Sequence, residues 1–558
     1  MNGETVKAVV EAASKDPILP PQSNRPALPK WRLACVSVSV SIGLFLSLLD
    51  TTIVATALFT IGEDLNAVGS INWVALAYTL SYLGCAVIFA RISDIIGRRN
   101  AYMAALIIFI GFSLGCGFAR TLEQLIALRV LQGIGGSGLY SLAFVILPEI
   151  SPPHMAQMIS GIAGMVVAMA GILGPVLGGI ITHYSTWRWI FWINAPIGIV
   201  AVILFAIAWP KANQLRHAQR RPWKQLDVVG AVLVIAASVL VVFSFQEAGL
   251  HHNNWRTALF IAPLIFGCLC YVLLFVWEYL VAKYWEGSFA TMFPLRLIKR
   301  RIYMGYVLVT LIGGFPYFMI IYSLPLRFQV VNERSQLIAG LALLPMVGTV
   351  AISSTAAAVV NQKRNLMFYT LLIGSLCSVI GAATLSTLKN VDWVESKMYG
   401  FQIFIGLGFG LMVSTTSMGG GMECEFRDNT VAQGIIAQVR VLGGSIGIAT
   451  SSAILGANQQ RKLTGIVTSA QLATFEDSMS SLTPEQLDII KQTYSDSFSE
   501  SMKVCAAIAG LGVLATFVVF RRRPVDFMEN RKQQIMEDMA RRRREGETAV
   551  VVEEKAEP

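Results

Sequence analysis

The sequence predicts an all-α integral membrane protein of fourteen spans, arranged as six, then two, then six. Three observations predict it. Apolar residues make up 54% of the chain and charged residues only 14%, far less charge than a soluble chain of 558 residues carries. Fourteen apolar runs are each long enough to cross a bilayer, which takes ~20 residues of helix. The basic connections 209–225 and 282–302 separate the first six runs from two others, and those two from the last six. A soluble multi-domain enzyme is excluded.

Residues 1–32 are polar and proline-rich (PILPPQSNRPALP) and lack the apolar core of a cleavable signal. They are expected to form a disordered cytoplasmic tail. Spans 1 to 6 are expected at about 33–58, 71–89, 101–119, 124–147, 159–182 and 187–208, forming a first bundle over 33–208. Spans 7 and 8, at about 226–246 and 257–281, lie in a linker unit 209–302. They hold little internal charge (Glu278 lies near an end), which suits lipid-facing packing more than transport. Spans 9 to 14, at about 303–328, 337–360, 366–388, 398–418, 430–456 and 502–520, form a second bundle over 303–520. The long loop 457–501 contains SLTPEQLDIIKQTY, where Thr483, Pro484 and Gln486 spell a capping box. A short amphipathic surface helix is expected there. Residues 521–558 form a basic cytoplasmic tail.

An even number of spans puts both tails on one side, and positive charge says which. The loops on the tail side carry 16 Lys/Arg and the tails 15 more, against five in the six short loops opposite and three in the long one. The termini are therefore expected in the cytoplasm. The excess of basic residues, including 521–523 and 541–544, sits at membrane edges, where it fixes topology and attracts anionic lipid. That placement argues against nucleic acid. Seven of the eight cysteines lie in apolar runs, where cysteine is a small filler rather than a disulfide partner.

Chemistry sits in a few polar residues inside these runs. SLLDTTIVATAL places Asp50 in span 1. An intramembrane acid is costly and defaults to function. Desolvation favours the neutral form of a carboxylate and a nearby arginine favours the charged form. A site balanced between the two can take up and release a proton as its exposure changes; the alternative is a packing aspartate bonded to Thr51, Thr52 or a neighbouring helix. In LRVLQGIGGSGLYSL of span 4, Arg129, Gln132, Gly133, Gly136 and Tyr140 share one face. Arg129 either faces a partner or snorkels outward. FARISDIIGRRN, between spans 2 and 3, offers a turn at Gly97, an Asp94–Arg98 pair at helical spacing, and Arg99 beside them. In AGILGPVLGGIITHY of span 5, Gly171, Gly174 and Gly178 share a face, with Pro175 and Gly179 among them, so close packing and a kink are expected.

These motifs together resemble the major facilitator superfamily, and within it the fourteen-helix drug:proton antiporter branch. LDTTIVATAL resembles the branch's motif in span 1, ARISDIIGRR the loop motif, RVLQGIGG the span 4 motif associated with proton transfer, and GPVLGG the span 5 motif associated with antiport. WRWIFWINAPIG resembles the start of span 6 in this branch. Ala90 and Ile95 depart from the loop motif, where glycine and a basic residue are usual, and Arg327 in YSLPLRFQ replaces a residue more often apolar or aromatic. The resemblance implies the major facilitator fold, with Asp50 and Arg129 in proton coupling and Asp94, Gly97, Arg98 and Arg99 as a conformational latch. It implies an antiport motif at Gly171, Gly174, Pro175, Gly178 and Gly179.

A substrate chamber is expected between the two bundles. Its candidate lining is Gln132, Tyr140, Phe315, Tyr317, Phe318 and Tyr322, with Arg440 of RVLGGSIGIA meeting substrate, closing a gate or packing. The chain has no phosphate-binding GxxxxGK[ST] loop and its five histidines form no recognisable metal set. The expected protein is not an enzyme and needs no cofactor beyond a proton gradient. It is expected to be a monomeric proton-coupled exporter of a small amphipathic organic compound at the plasma membrane, with the vacuolar membrane as the other location. The competing reading is a proton-coupled importer of an iron chelate or nutrient.

Overall fold

The computed structural model describes residues 29–54, 57–65, 72–151, 156–210, 222–250, 257–285, 289–363, 365–388, 394–425, 428–463 and 483–522. The N-terminal tail through residue 28 and the C-terminal tail from 523 lie outside the described residues, as do the linker 211–221 and the side chain of Pro175.

Among the described residues, fourteen helices are long and apolar enough to cross a membrane. They are α1 Lys30–Ile53, α2 Asn72–Ile96, α3 Arg98–Gly117, α4 Leu122–Ile150, α5 Ala156–Tyr184, α6 Trp189–Ala208 and α7 Val228–Leu250. The others are α8 Ala258–Tyr284, α9 Arg301–Val330, α10 Leu344–Lys363, α11 Met367–Leu385, α12 Lys397–Glu423, α13 Asn429–Leu463 and α14 Pro484–Thr516. An α-helix satisfies its own backbone, which is why apolar runs in lipid take this form.

Two apolar cores organise the helices. One is built by α1 to α6, with Leu44, Tyr78, Phe109, Leu139 and Phe205 at its centre. The other is built from α9 to α14, around Met319, Met346, Phe409 and Met502. The α7–α8 hairpin lies between them in sequence and beside them in space. α7 packs on α2 of the first bundle and on α13 of the second, where Gln438 Nε2 donates to Ser238 Oγ at 2.8 Å. α8 is the least enclosed span and turns Leu259, Ile265, Phe266, Val272 and Tyr279 outward. The lipid-facing expectation therefore describes α8, while α7 touches both bundles.

Two expected boundaries are corrected. α1 stops at Ile53, and a separate short helix, Leu58–Asp64, follows it. Span 10 runs over Ile338–Asn361, as expected, with a turn between Gln336–Leu341, capped by Ser335, and α10. The short surface helix in 457–501 does not exist as a separate element. Its capping box is present at Thr483 and Gln486, but the helix that starts there runs on as α14. α13 likewise runs on to Leu463, so residues 464–482 are what separates the two. The serine-rich stretch looks like loop by hydropathy, yet Thr493, Ser495, Ser497 and Ser501 are buried. Thr493 and Ser497 fold their hydroxyls back onto carbonyls one turn earlier, which lets polar side chains enter the bundle.

Candidate functional site

α4 is the most enclosed span. Its glycines allow that. A Cβ at Gly133 would strike Ser81 and the Tyr78 carbonyl of α2, and one at Gly135 would meet Phe109 N of α3 at 2.6 Å. With no side chains there, three backbones approach closely, and the polar face of α4 is pressed into the first bundle.

On that face Arg129 meets Asp50 of α1. The carboxylate is fully buried and the guanidinium is 1% exposed. Arg129 Nη1 donates to Asp50 Oδ2 and, at 3.0 Å, to Gln132 Oε1. Gln132 Nε2 donates to Asp50 Oδ1 at 3.0 Å, and Asn194 Nδ2 donates to the same oxygen at 3.2 Å. Asn194 also reaches Ser113 Oγ at 3.0 Å, and Arg129 Nε reaches the Val74 carbonyl at 3.2 Å. The Tyr78 ring lies 4.2 Å from the guanidinium and Phe191 lies 5.6 Å away. Both carboxylate oxygens are therefore satisfied, as a buried ion pair requires. The site is sealed inside the first bundle, and Asp50 has no exposure to a chamber in this conformation. Gln132 belongs to this cluster rather than to an open lining.

Asn194 is a functional candidate that motif reading passed over. Its signal was present: past Arg188, it is the polar residue of WRWIFWINAPIG, inside the apolar helix α6. Tyr78 carried no such mark.

α5 is the neighbour of this site. A Cβ at Gly174 would collide with Thr52, two residues past Asp50, and Thr52 Oγ1 donates to the Ala170 carbonyl at 3.3 Å. A Cβ at Gly171 would strike Ile321 of α9. Gly178 and Gly179 are buried, and α5 runs as one helix through position 175. The glycine face thus touches the Asp50 helix and the second bundle at once.

The loop motif joins α2 to α3. Gly97 has φ 90° and ψ 150°, a conformation that favours glycine, and it starts α3. Arg98 donates to Asp94 Oδ1 at 2.7 Å, Ser93 Oγ at 2.8 Å and Glu149 Oε2 of α4 at 3.1 Å. Its Nη2 crosses to Thr430 Oγ1 of α13 at 2.7 Å. Arg99 is exposed. The departing residue Ala90 is buried and its methyl faces Gly434 of α13, so the small side chain allows close contact there. Arg91 was not singled out by its motif. It is buried and binds the Thr291 carbonyl of the connection 282–302 through Nε at 2.8 Å.

The remaining candidates disperse. Tyr317 stacks on Phe409 with ring centres 3.6 Å apart, inside the second core. Phe315 is buried in the same core and Phe318 packs against it, while Tyr322 is 44% exposed. Tyr140 stays in the first core, 5.6 Å from Tyr82 and 5.2 Å from Phe144. Arg440 of α13 is buried, with Nη2 on Ser417 Oγ at 3.2 Å and its guanidinium 5.2 Å from the Phe144 ring. Arg327 is buried rather than solvated: it donates to Ser495 Oγ at 2.8 Å and lies over Phe498, tying α9 to α14. Among the described residues, no group of three or more His, Cys, Asp or Glu is placed to hold a metal ion.

Known proteins resemble this chain in sequence and in fold. An MFS-type transporter of Fusarium mangiferae is 32% identical over 509 residues, covering 88% of this chain and 84% of that protein. An efflux pump of Penicillium rubens is 28% identical, covering 89% and 92%. A bacterial homologue of the human lysosomal transporter Spinster, solved in an inward-facing conformation, superposes with a TM-score of 0.55 at 14% identity, over 88% of this chain and 99% of its own. That likeness is one of fold. The description of the Major Facilitator Superfamily matches residues 40–448. Fourteen apolar helices, no sheet among the described residues, and that match together make the chain a membrane transporter rather than an enzyme, a member of the Major Facilitator Superfamily.

Proposed function

We propose that this transporter exports a small amphipathic organic compound in exchange for protons, with Asp50 as the proton-carrying group and both termini in the cytoplasm. One observation carries the reading. Asp50 and Arg129 form an ion pair within the apolar first bundle, with Gln132 and Asn194 completing its hydrogen bonds. Removing two charges from water is expensive, and well-packed apolar residues often do as well for stability. A pair kept at such cost serves function by default in a membrane.

The pair is closed here, so proton uptake requires a second conformation that separates Arg129 from Asp50 and lets water in. α5 is placed to couple that opening to cargo movement, because its glycine face touches both Thr52 and Ile321. The Arg98–Thr430 bond is the latch that such a cycle opens at the tail side. Direction is supported by the similarity to an efflux pump, and the side by the basic inner loops. The basic tails suit anionic lipid of the plasma membrane. A single chain contains both bundles, so a monomer suffices.

The test is a deletion strain of the source organism, complemented with wild-type or Asp50→Asn protein. Untargeted mass spectrometry compares cells with medium. Export predicts compounds retained in deletion and Asp50→Asn cells and missing from their medium. Compounds depleted inside deletion cells would reverse the direction. Normal secretion by Asp50→Asn would remove the aspartate from the mechanism.

A further inference from the structure

Two buried arginines stand at opposite ends of one aromatic column, and among the described residues only one of them is paired with a carboxylate. Arg129 lies 4.2 Å from the Tyr78 ring centre, Tyr78 lies 5.6 Å from Tyr82, and Tyr82 lies 5.6 Å from Tyr140. Tyr140 lies 5.2 Å from Phe144, whose ring lies 5.2 Å from the Arg440 guanidinium. From Arg129 to Phe144 the column follows α4 through about 22 Å of membrane depth. Arg129 is neutralised by Asp50. Arg440 is 2% exposed, and among the described residues no carboxylate pairs with it. Among the described residues, neither its Nη1 nor the Tyr140 hydroxyl beside it has a hydrogen-bond partner of sound geometry.

Position makes this unusual. Arg440 lies eleven residues into α13, about 16 Å along the helix, so it is near the middle of a hydrocarbon core ~30 Å thick. It is on the second bundle, while Tyr140 and Phe144 are on the first. Packing accounts for the neighbouring glycines but not for the charge. Cβ atoms at Gly443 and Gly447 would strike the Leu311 and Phe315 carbonyls of α9, so those residues set the α9–α13 contact. An arginine is not needed for it. An unpaired charge at this depth is strongly disfavoured unless a partner arrives.

We propose that Arg440 and the Tyr140 hydroxyl receive the anionic group of the cargo, and that the cargo is an amphipathic organic acid carrying one carboxylate or similar oxyanion. Arg440 Nη1 and the Tyr140 hydroxyl supply two donors from opposite bundles. Phe144 and Tyr82 supply apolar ring faces for the body of the molecule once the bundles part. This rests on transport at the interface between the bundles, but not on proton coupling or on direction.

The experiment uses the full chain in nanodiscs of neutral lipid, with no proton gradient, so it can fail independently of the efflux reading. Thermal unfolding is followed for wild type, Arg440→Met, Tyr140→Phe and, as a contrast, Arg129→Met. The probes are 1-naphthoate, its methyl ester and 1-naphthylmethylammonium. Without probe, Arg440→Met is expected to unfold at least about 2 °C higher than wild type, because an unmatched charge has gone, whereas Arg129→Met unfolds lower. With probe, naphthoate raises the wild-type midpoint and the ester and the amine do not. Arg440→Met abolishes that shift and Tyr140→Phe reduces it. A less stable Arg440→Met, no shift with naphthoate, equal shifts with the ester, or a shift that survives Arg440→Met would each overturn the proposal. So would an Arg440-dependent shift reproduced by phosphatidylglycerol alone, which would assign the anion to lipid.

Discussion

Arg98 Nη2 donates to Thr430 Oγ1 at 2.7 Å, across 332 residues of sequence and from one bundle to the other. The same guanidinium holds Asp94 and Glu149, so one side chain joins α2, α3, α4 and α13. Thr430 is buried and the bond is charge-assisted, worth about 1.5–3 kcal/mol. Thr430→Val keeps the shape and removes the acceptor. It should free the tail end to open, seen as faster hydrogen exchange in residues 89–100 and 429–436, with Thr430→Ser close to wild type. Unchanged exchange in Thr430→Val would show that other contacts hold this end shut.

The Asp50–Arg129 pair should behave as a unit. Arg129→Met strands a buried carboxylate and should cost about 3–5 kcal/mol. Asp50→Asn strands the guanidinium and should cost a comparable amount. The double variant Asp50→Asn/Arg129→Met leaves no unmatched charge and should recover most of the stability without recovering transport. Additive losses in a double-mutant cycle would mean that the two side chains are not coupled.

At the opposite end of the molecule, Asp64 accepts from Trp187 Nε1 and from Arg188 Nη1, each at 3.0 Å. The Trp187 bond, and then the Arg188 guanidinium, hold its carboxyl below the ordinary value of 3.8. A carboxylate lowered by folding stabilises the fold at pH above its ordinary value and loses that contribution as pH falls through the folded value. Asp64→Asn should therefore unfold earlier than wild type at pH 7, and the two should converge below pH 3.8. A gap that widens on acidification would contradict this sign.

Two glycines separate close packing from mere composition. A Cβ at Gly443 would strike the Leu311 carbonyl, while one at Gly510 of α14 would meet nothing within 4 Å. Gly443→Ala should destabilise by about 1–3 kcal/mol through overpacking. Gly510→Ala should be neutral or stabilise by up to about 1 kcal/mol through helix propensity. Midpoints of thermal unfolding for the two variants distinguish the cases, and equal effects would remove the role given to the α9–α13 contact.

Span number and motif positions were legible in the amino-acid order, because a membrane imposes them locally. A helix crossing lipid must be apolar over about twenty residues, and basic residues collect at one edge. Asp50 and Arg129 stood out for the same reason: charge is rare in such runs. Hydropathy misled where polarity could be absorbed locally, as at Thr493 and Ser497, whose stretch reads as loop and packs as the interior of α14. What only the tertiary structure decided was which distant groups meet. Asn194 reaches Asp50 from α6, Thr430 takes the Arg98 bond from α13, and Arg440 is left beside Phe144 with no acid among the described residues. Those pairings depend on how each helix is rotated and how closely its glycines let neighbours approach. That is a property of the packed bundle and not of any single run of residues.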